Sequence, residues 1–141
     1  MTALDDILQG NLHPGIYRLT TEINLDAYFS QLREQGWKLF SLEGERIANK
    51  SDFLQACAQV MHFPPYFGNN WDAFEECMTD PGIISINQLI LLYNHPENFA
   101  QNEPNQWKTA VYILRTAIEY WSEKNVLMYV LFNTNHPILD E

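Results

Sequence analysis

Two rhythms of apolar residues take turns along this chain: short runs with the period or continuous apolarity of strands, and stretches where apolar side chains return every three or four positions. After a polar leader, Gly15-Ile16-Tyr17-Arg18-Leu19-Thr20 predicts a strand, entered through the turn His13-Pro14-Gly15 and suited to a sheet edge. Leu25, Tyr28, Phe29 and Leu32 recur at helical spacing, with Asn24 as the expected cap and Gly36 as the stop. Trp37 to Leu42 reads as a second strand, ended by Glu43-Gly44-Glu45. Asn49 or Ser51 then caps a helix whose stripe is Phe53, Leu54, Cys57, Val60 and Met61, and His62-Phe63-Pro64-Pro65 breaks it.

The chain turns through Gly68 and re-enters a short helix at Asn69 or Asn70, closed by Pro81-Gly82. Gln88 to Tyr93, apolar on both faces, predicts a central strand of a parallel sheet. A loose segment with a helical turn near Phe99 leads to the longest helix, Gln106 to Lys124, with Trp107, Val111, Leu114, Ile118 and Trp121 toward the core. Val126 to Phe132 is the last strand. Strands alternating with helices predict one α/β unit: a mostly parallel sheet of about four strands with helices packed on it. No repeat or linker divides residues 1–141, so a single domain is expected, with 1–36 as a strand-helix extension and 37–132 as its core.

Composition sharpens this. With 46% hydrophobic and 18% charged residues the chain is neither disordered nor a coiled coil, and 141 residues bury roughly 68% of their unfolded surface without disulfides or metal. Eight Lys and Arg against eighteen Asp and Glu give a formal charge of −10, which repels a nucleic acid backbone and attracts a basic partner. No direct nucleic acid binding is expected. The longest apolar runs fall well short of the roughly 20 residues that span a bilayer, so no membrane association is expected. Met1 to Asp6 lacks the basic region and apolar run of a signal peptide, which makes the cytoplasm the expected compartment. Asn49-Lys50-Ser51 fits a glycosylation sequon that has no meaning there. Cys57 and Cys77 fall on apolar helix sides, where a thiol is a small inert hydrophobe.

The acidic residues are not spread evenly. On a helical wheel Trp71, Phe74, Cys77 and Met78 gather on one side, Asp72, Glu76 and Thr79 on the other, with Glu75 on the border. Clustered like charges cost stability, as does the pair Glu119 and Glu123 four residues apart. A binding surface explains the first cluster, although Asp72 also suits the helix N-terminus and Arg115 can relieve Glu119. Tyr66, Phe67 and Trp71 flank it; Tyr and Trp favour interfaces, while Phe67 and Trp71 also fit as core plugs. Asp72 and Glu76 as a catalytic pair would stand side by side on a convex helix rather than across a cleft. His13, His62, His95 and His136 are scattered, three of them directly before proline, and suit turns better than a metal. There is no G-x-S-x-G, no phosphate-cradling glycine loop and no Cys with an obvious base, so neither catalysis nor a cofactor is expected.

Over Pro64 to Thr79 the residues Pro64, Tyr66, Gly68, Asn70, Asp72, Ala73, Cys77 and Thr79 fall where the barstar family places the same residues, and Glu76 keeps the acid of a position that is Asp in barstar. A weaker likeness runs from Lys38 through Gly44-Glu45-Arg46-Ile47 and Ser51-Asp52, and again from about Ile113 to Leu131. The chain thus resembles the small intracellular inhibitors of guanyl-preferring ribonucleases such as barnase. The resemblance implies an immunity-type protein whose loop and short helix plug a basic nuclease active site, with carboxylates standing where RNA phosphates bind. It implies Tyr66, Asp72 and Glu76 as contacts, Gly68 and Asn70 as residues that shape the loop, and Glu119 and Glu123 as further acidic contacts from the long helix. Glu75 stands where barstar has an aromatic and Asp80 where it has glycine; residues 1–36 are absent from the minimal inhibitor. A barnase-type ribonuclease is the implied partner. The alternative is the same scaffold used as an interaction module that regulates a non-nuclease protein, with Glu75 and the added N-terminal unit altering its surface.

Overall fold

The computed structural model describes residues 2–19 and 25–136; the predicted cap Asn24 and the strand end Thr20 lie outside them. The elements follow in the order α1 (Ala3–Leu8), β1 (Ile16–Leu19), α2 (Leu25–Glu34), β2 (Lys38–Glu43), a single 3-10 turn (Gly44–Arg46), α3 (Lys50–Met61), α4 (Trp71–Met78), β3 (Gln88–Asn94), α5 (Glu97–Asn102), α6 (Pro104–Ser122) and β4 (Leu127–Asn133). The four strands form one sheet in the order β1-β4-β3-β2, and all three pairings are parallel. β1 takes the expected edge.

Period-two alternation sorts the strand side chains into two layers. Leu89, Leu91 and Tyr93 of β3 and Met128, Val130 and Phe132 of β4 face a core filled from α3, α4, α5 and α6. Ile90, Leu92, Tyr129 and Leu131 point the other way, onto Leu4 and Ile7 of α1, Leu32 of α2 and Trp37. Residues before Trp37 therefore roof the second face of the sheet, and β1 pairs with β4 from Ile16↔Val130 to Leu19↔Asn133.

The structure corrects three expectations. The polar leader contains α1, a helix begun by a capping box in which Thr2 Oγ1 accepts from the Asp5 N–H and the Asp5 carboxylate accepts from the Thr2 N–H. At six residues it is too short to show a period. The loose segment is α5, and α6 begins at Pro104, where a proline at N1 gives up no helical hydrogen bond. Its buried face also takes in Ala110, Ile113 and Ala117, leaving Val111 half-buried at the margin.

Candidate functional site

The acidic helix is held by what precedes and follows it. α3 ends on His62, whose φ of 58° is a left-handed cap with its N–H returned to the Ala58 carbonyl, and two prolines then prevent the helix from continuing. Phe67 packs edge-on against Phe63 at 5.1 Å between ring centroids, while Trp71 lies 6.0 Å from Phe53 and 5.9 Å from Phe74. Both are half-buried against the core and act as its plugs. Tyr66, between these anchors, is 82% exposed.

Asn70 sets the entry to α4. Its Oδ1 accepts from the Ala73 N–H at 2.8 Å and its Nδ2 donates to the Gly68 carbonyl at 3.2 Å, so one side chain caps the helix and closes the loop. A Cβ on Gly68 would stand 3.0 Å from that Nδ2 and press on the cap. Asn69, just ahead, takes a left-handed φ of 53°, which asparagine tolerates.

On α4, Phe74, Cys77 and Met78 are buried, Asp72 and Glu76 are exposed, and Glu75 is half-buried at the border. Two indole hydrogen bonds tie its ends to α6: Trp71 Nε1–H donates to Gln106 Oε1 at 2.8 Å, and Trp121 Nε1–H donates to the Met78 carbonyl at 2.7 Å inside the core. The carboxylates thus stand on a helix that cannot easily turn. Among the described residues no ion pair engages Asp72, Glu75, Glu76, Glu119 or Glu123.

Tyr66, Gly68, Asn70, Asp72, Glu75 and Glu76 are consecutive neighbours on one loop and helix. Glu119 and Glu123 are exposed but differently placed. Each is two residues from Trp121, which reaches α4, and two residues amount to about 160° of separation around a helix. They face away from that contact. The flank of α6 beside Gln106 carries the half-buried Thr109 and Thr116 and the exposed Tyr120, with Lys124 Nζ 4.9 Å over the Tyr120 ring. Tyr120 and Lys124 were not candidates in the sequence, and only the packing of α4 on α6 draws attention to them.

Other chemistry is muted. Both cysteines are free and buried: burial pushes the Cys57 thiol far up, and burial followed by the Asp80 and Glu76 carboxylates raises Cys77. Neither is a ready thiolate. Among the described residues no three His, Cys, Asp or Glu side chains gather to hold a metal ion, and no helix is long and apolar enough to cross a membrane.

With this geometry the comparisons have a place. The family model described as Barstar (barnase inhibitor) matches residues 37–133, which is more than half of the chain. The chain belongs to the barstar family. The family match opens at Trp37, so α1, β1 and α2 precede it, and it contains the whole of the loop and α4. No curated protein matches the sequence. Among solved structures, Cdc6p from Pyrobaculum aerophilum superposes with a TM-score of 0.65 at 16% identity over 98% of this chain and 39% of that one. The ORC2 protein of Aeropyrum pernix, solved as ADPNP–ADP complexes, gives 0.61 at 11% identity over 96% and 40%. At such identities the likeness is one of fold. The chain spans about two-fifths of the length of each of these chains.

Proposed function

We propose that the protein inhibits a basic ribonuclease of the barnase type by plugging its active site with the loop and helix from Tyr66 to Glu76. The observation that carries this reading is that Asp72 and Glu76 are exposed and, among the described residues, form no ion pair, on a helix anchored at both ends. Free anions on a flexible segment would lose ordering entropy on binding; here most of that loss is already met by folding. Tyr66 adds a large exposed ring next to them, of the kind that anchors interfaces. The site is Tyr66, Asp72, Glu75 and Glu76, shaped by Gly68 and Asn70. Glu119 and Glu123 point away from the Trp121 contact with α4 and stand outside this loop and helix.

Opposite fields would make association fast and weaken it as salt rises. The test is RNA cleavage by a barnase-type ribonuclease with increasing amounts of the protein; cleavage is expected to fall to background at equimolar amounts, and undiminished cleavage at large excess would reject this partner class. Asp72→Ala with Glu76→Ala is expected to weaken binding by about 2–5 kcal/mol for each desolvated pair lost, a range drawn partly from the barnase–barstar pair itself. Unchanged affinity in that double variant would move the contact face elsewhere. Recovery of a non-nuclease protein as the cellular partner would favour the module reading.

A further inference from the structure

Among the 8 Lys and Arg of this acidic chain, Lys50 lies against the acidic helix itself. Its Nζ stands 5.6 Å from the centroid of the Trp71 ring, and Trp71 is the first residue of α4. That separation is inside the roughly 6 Å over which a ring face attracts an ammonium. Arg33, Lys38 and Lys124 also lie over rings, but those rings, Phe29, Phe40 and Tyr120, belong to α2, β2 and α6. The indole beneath Lys50 is fixed, because its N–H is held by Gln106 and its ring packs on Phe53 and Phe74.

Apart from that ring, the position is unfavourable for a cation. Lys50 opens α3, at the end of a helix where the peptide dipoles repel positive charge. Glu103 Oε1 accepts from the Lys50 backbone N–H at 2.8 Å, yet among the described residues no ion pair engages the ammonium and none of its three N–H donors has an acceptor. An aliphatic side chain would cover the indole without either cost.

A net charge of −10 draws in any basic protein, so attraction alone does not choose among them. Choice needs an element that wrong partners fail to satisfy. We infer, resting on the function proposed above, that Lys50 is a specificity-determining contact of the same site: its ammonium, presented on the Trp71 indole, donates to a carboxylate of the ribonuclease while Asp72 and Glu76 meet that enzyme's cations. A carboxylate is the acceptor because a charged donor without an internal counter-ion gains most from the opposite charge. A basic surface that sets only cations opposite Lys50 meets repulsion and leaves the ammonium desolvated without a partner. The indole holds the stem of Lys50 before the partner arrives, so little side-chain freedom is lost on contact.

The sign of one substitution decides. Lys50→Met keeps an unbranched stem on the indole, removes the charge and leaves the chain one unit more negative than −10. If Lys50 did no more than shade Trp71, this variant would bind a basic nuclease as tightly as the parent or more tightly, a result that overturns the inference and leaves the proposed function standing. Loss of a contact acts in the other direction. In stopped-flow binding to a purified barnase-type ribonuclease at about 0.15 M salt, Lys50→Met is expected to raise Kd about tenfold, through faster dissociation, with association as fast as the parent's or faster. Lys50→Arg, which keeps the charge and its hold on the ring, is expected to stay within about threefold of the parent. Poly-lysine, which has no carboxylate side chains, is expected to bind Lys50→Met at least as tightly as the parent; weaker binding there would trace the effect to a disturbed α4 and overturn the inference. Should Lys50→Met lower Tm, Lys50→Gln is read in its place with the same expectations. A parent chain without affinity for the nuclease removes the proposed function, and this role of Lys50 with it.

Discussion

Gly44 shows how much one hydrogen atom can decide. The 3-10 turn after β2 presses so closely on the end of β3 that a Cβ on Gly44 would lie 2.1 Å from the Asn94 carbonyl oxygen and 2.3 Å from that of His95. Those are backbone atoms, which cannot swing aside as a side chain end could. His95 itself has a left-handed φ of 53° ahead of Pro96, and the Asn98 Nδ2 donates to the carbonyls of Gly44 and Ile47, so the crossing is pinned from both partners. Gly44→Ala is therefore expected at the upper end of overpacking costs, about 3 kcal/mol, and thermal unfolding should show a fall in Tm of several degrees. The sequence marked Gly44 as a strand end and as part of the family likeness, and neither reading told of this contact. Its close approach to a strand fifty residues away has no local signature.

At the scale of elements, α4 depends on α6. An eight-residue helix is marginal alone, and this one is secured by a side-chain cap, by burial of Phe74, Cys77 and Met78, and by the two indole bonds. Each bond to an uncharged acceptor contributes about 1 kcal/mol net. Trp71→Phe keeps the aromatic packing on Phe53 and Phe74 but removes the N–H that Gln106 accepts. Its expected effect is a modest loss of global stability with a clear rise in amide exchange across residues 71–79, measured without any partner. Equal protection in variant and parent would show that packing alone holds α4 in place. The wheel over residues 71–78 foretold which carboxylates face out, because a helix face follows from spacing. It could not foretell the bond between Trp71 and Gln106, thirty-five positions apart.

For the whole molecule, the decisive feature is that both sheet faces are covered by helices. Residues 37–133 carry the family match, yet Ile90, Leu92, Tyr129, Leu131 and Trp37 turn their side chains to the face covered by α1 and α2. Burying each large aliphatic side chain is worth about 1.5–3 kcal/mol, and Leu4, Ile7, Leu19 and Leu32 supply four of them from the extension. Removal of residues 1–36 is expected to leave an apolar sheet face and an open β4 edge, seen as aggregation or strong binding of a hydrophobic dye. A truncated chain as stable as the parent would show that the extension is dispensable to the core.

The sequence by itself determined the α/β class, the four strands, the parallel sheet and the outward face of α4, since each is written in spacings of two to four residues that sterics and burial enforce locally. Tertiary structure alone decided that α1 exists, that Gln106 and Trp121 of α6 hold the two ends of the acidic helix, and that β2 is left at the sheet edge. These follow from which elements pack together, and packing joins residues whose separation along the chain carries no periodic mark.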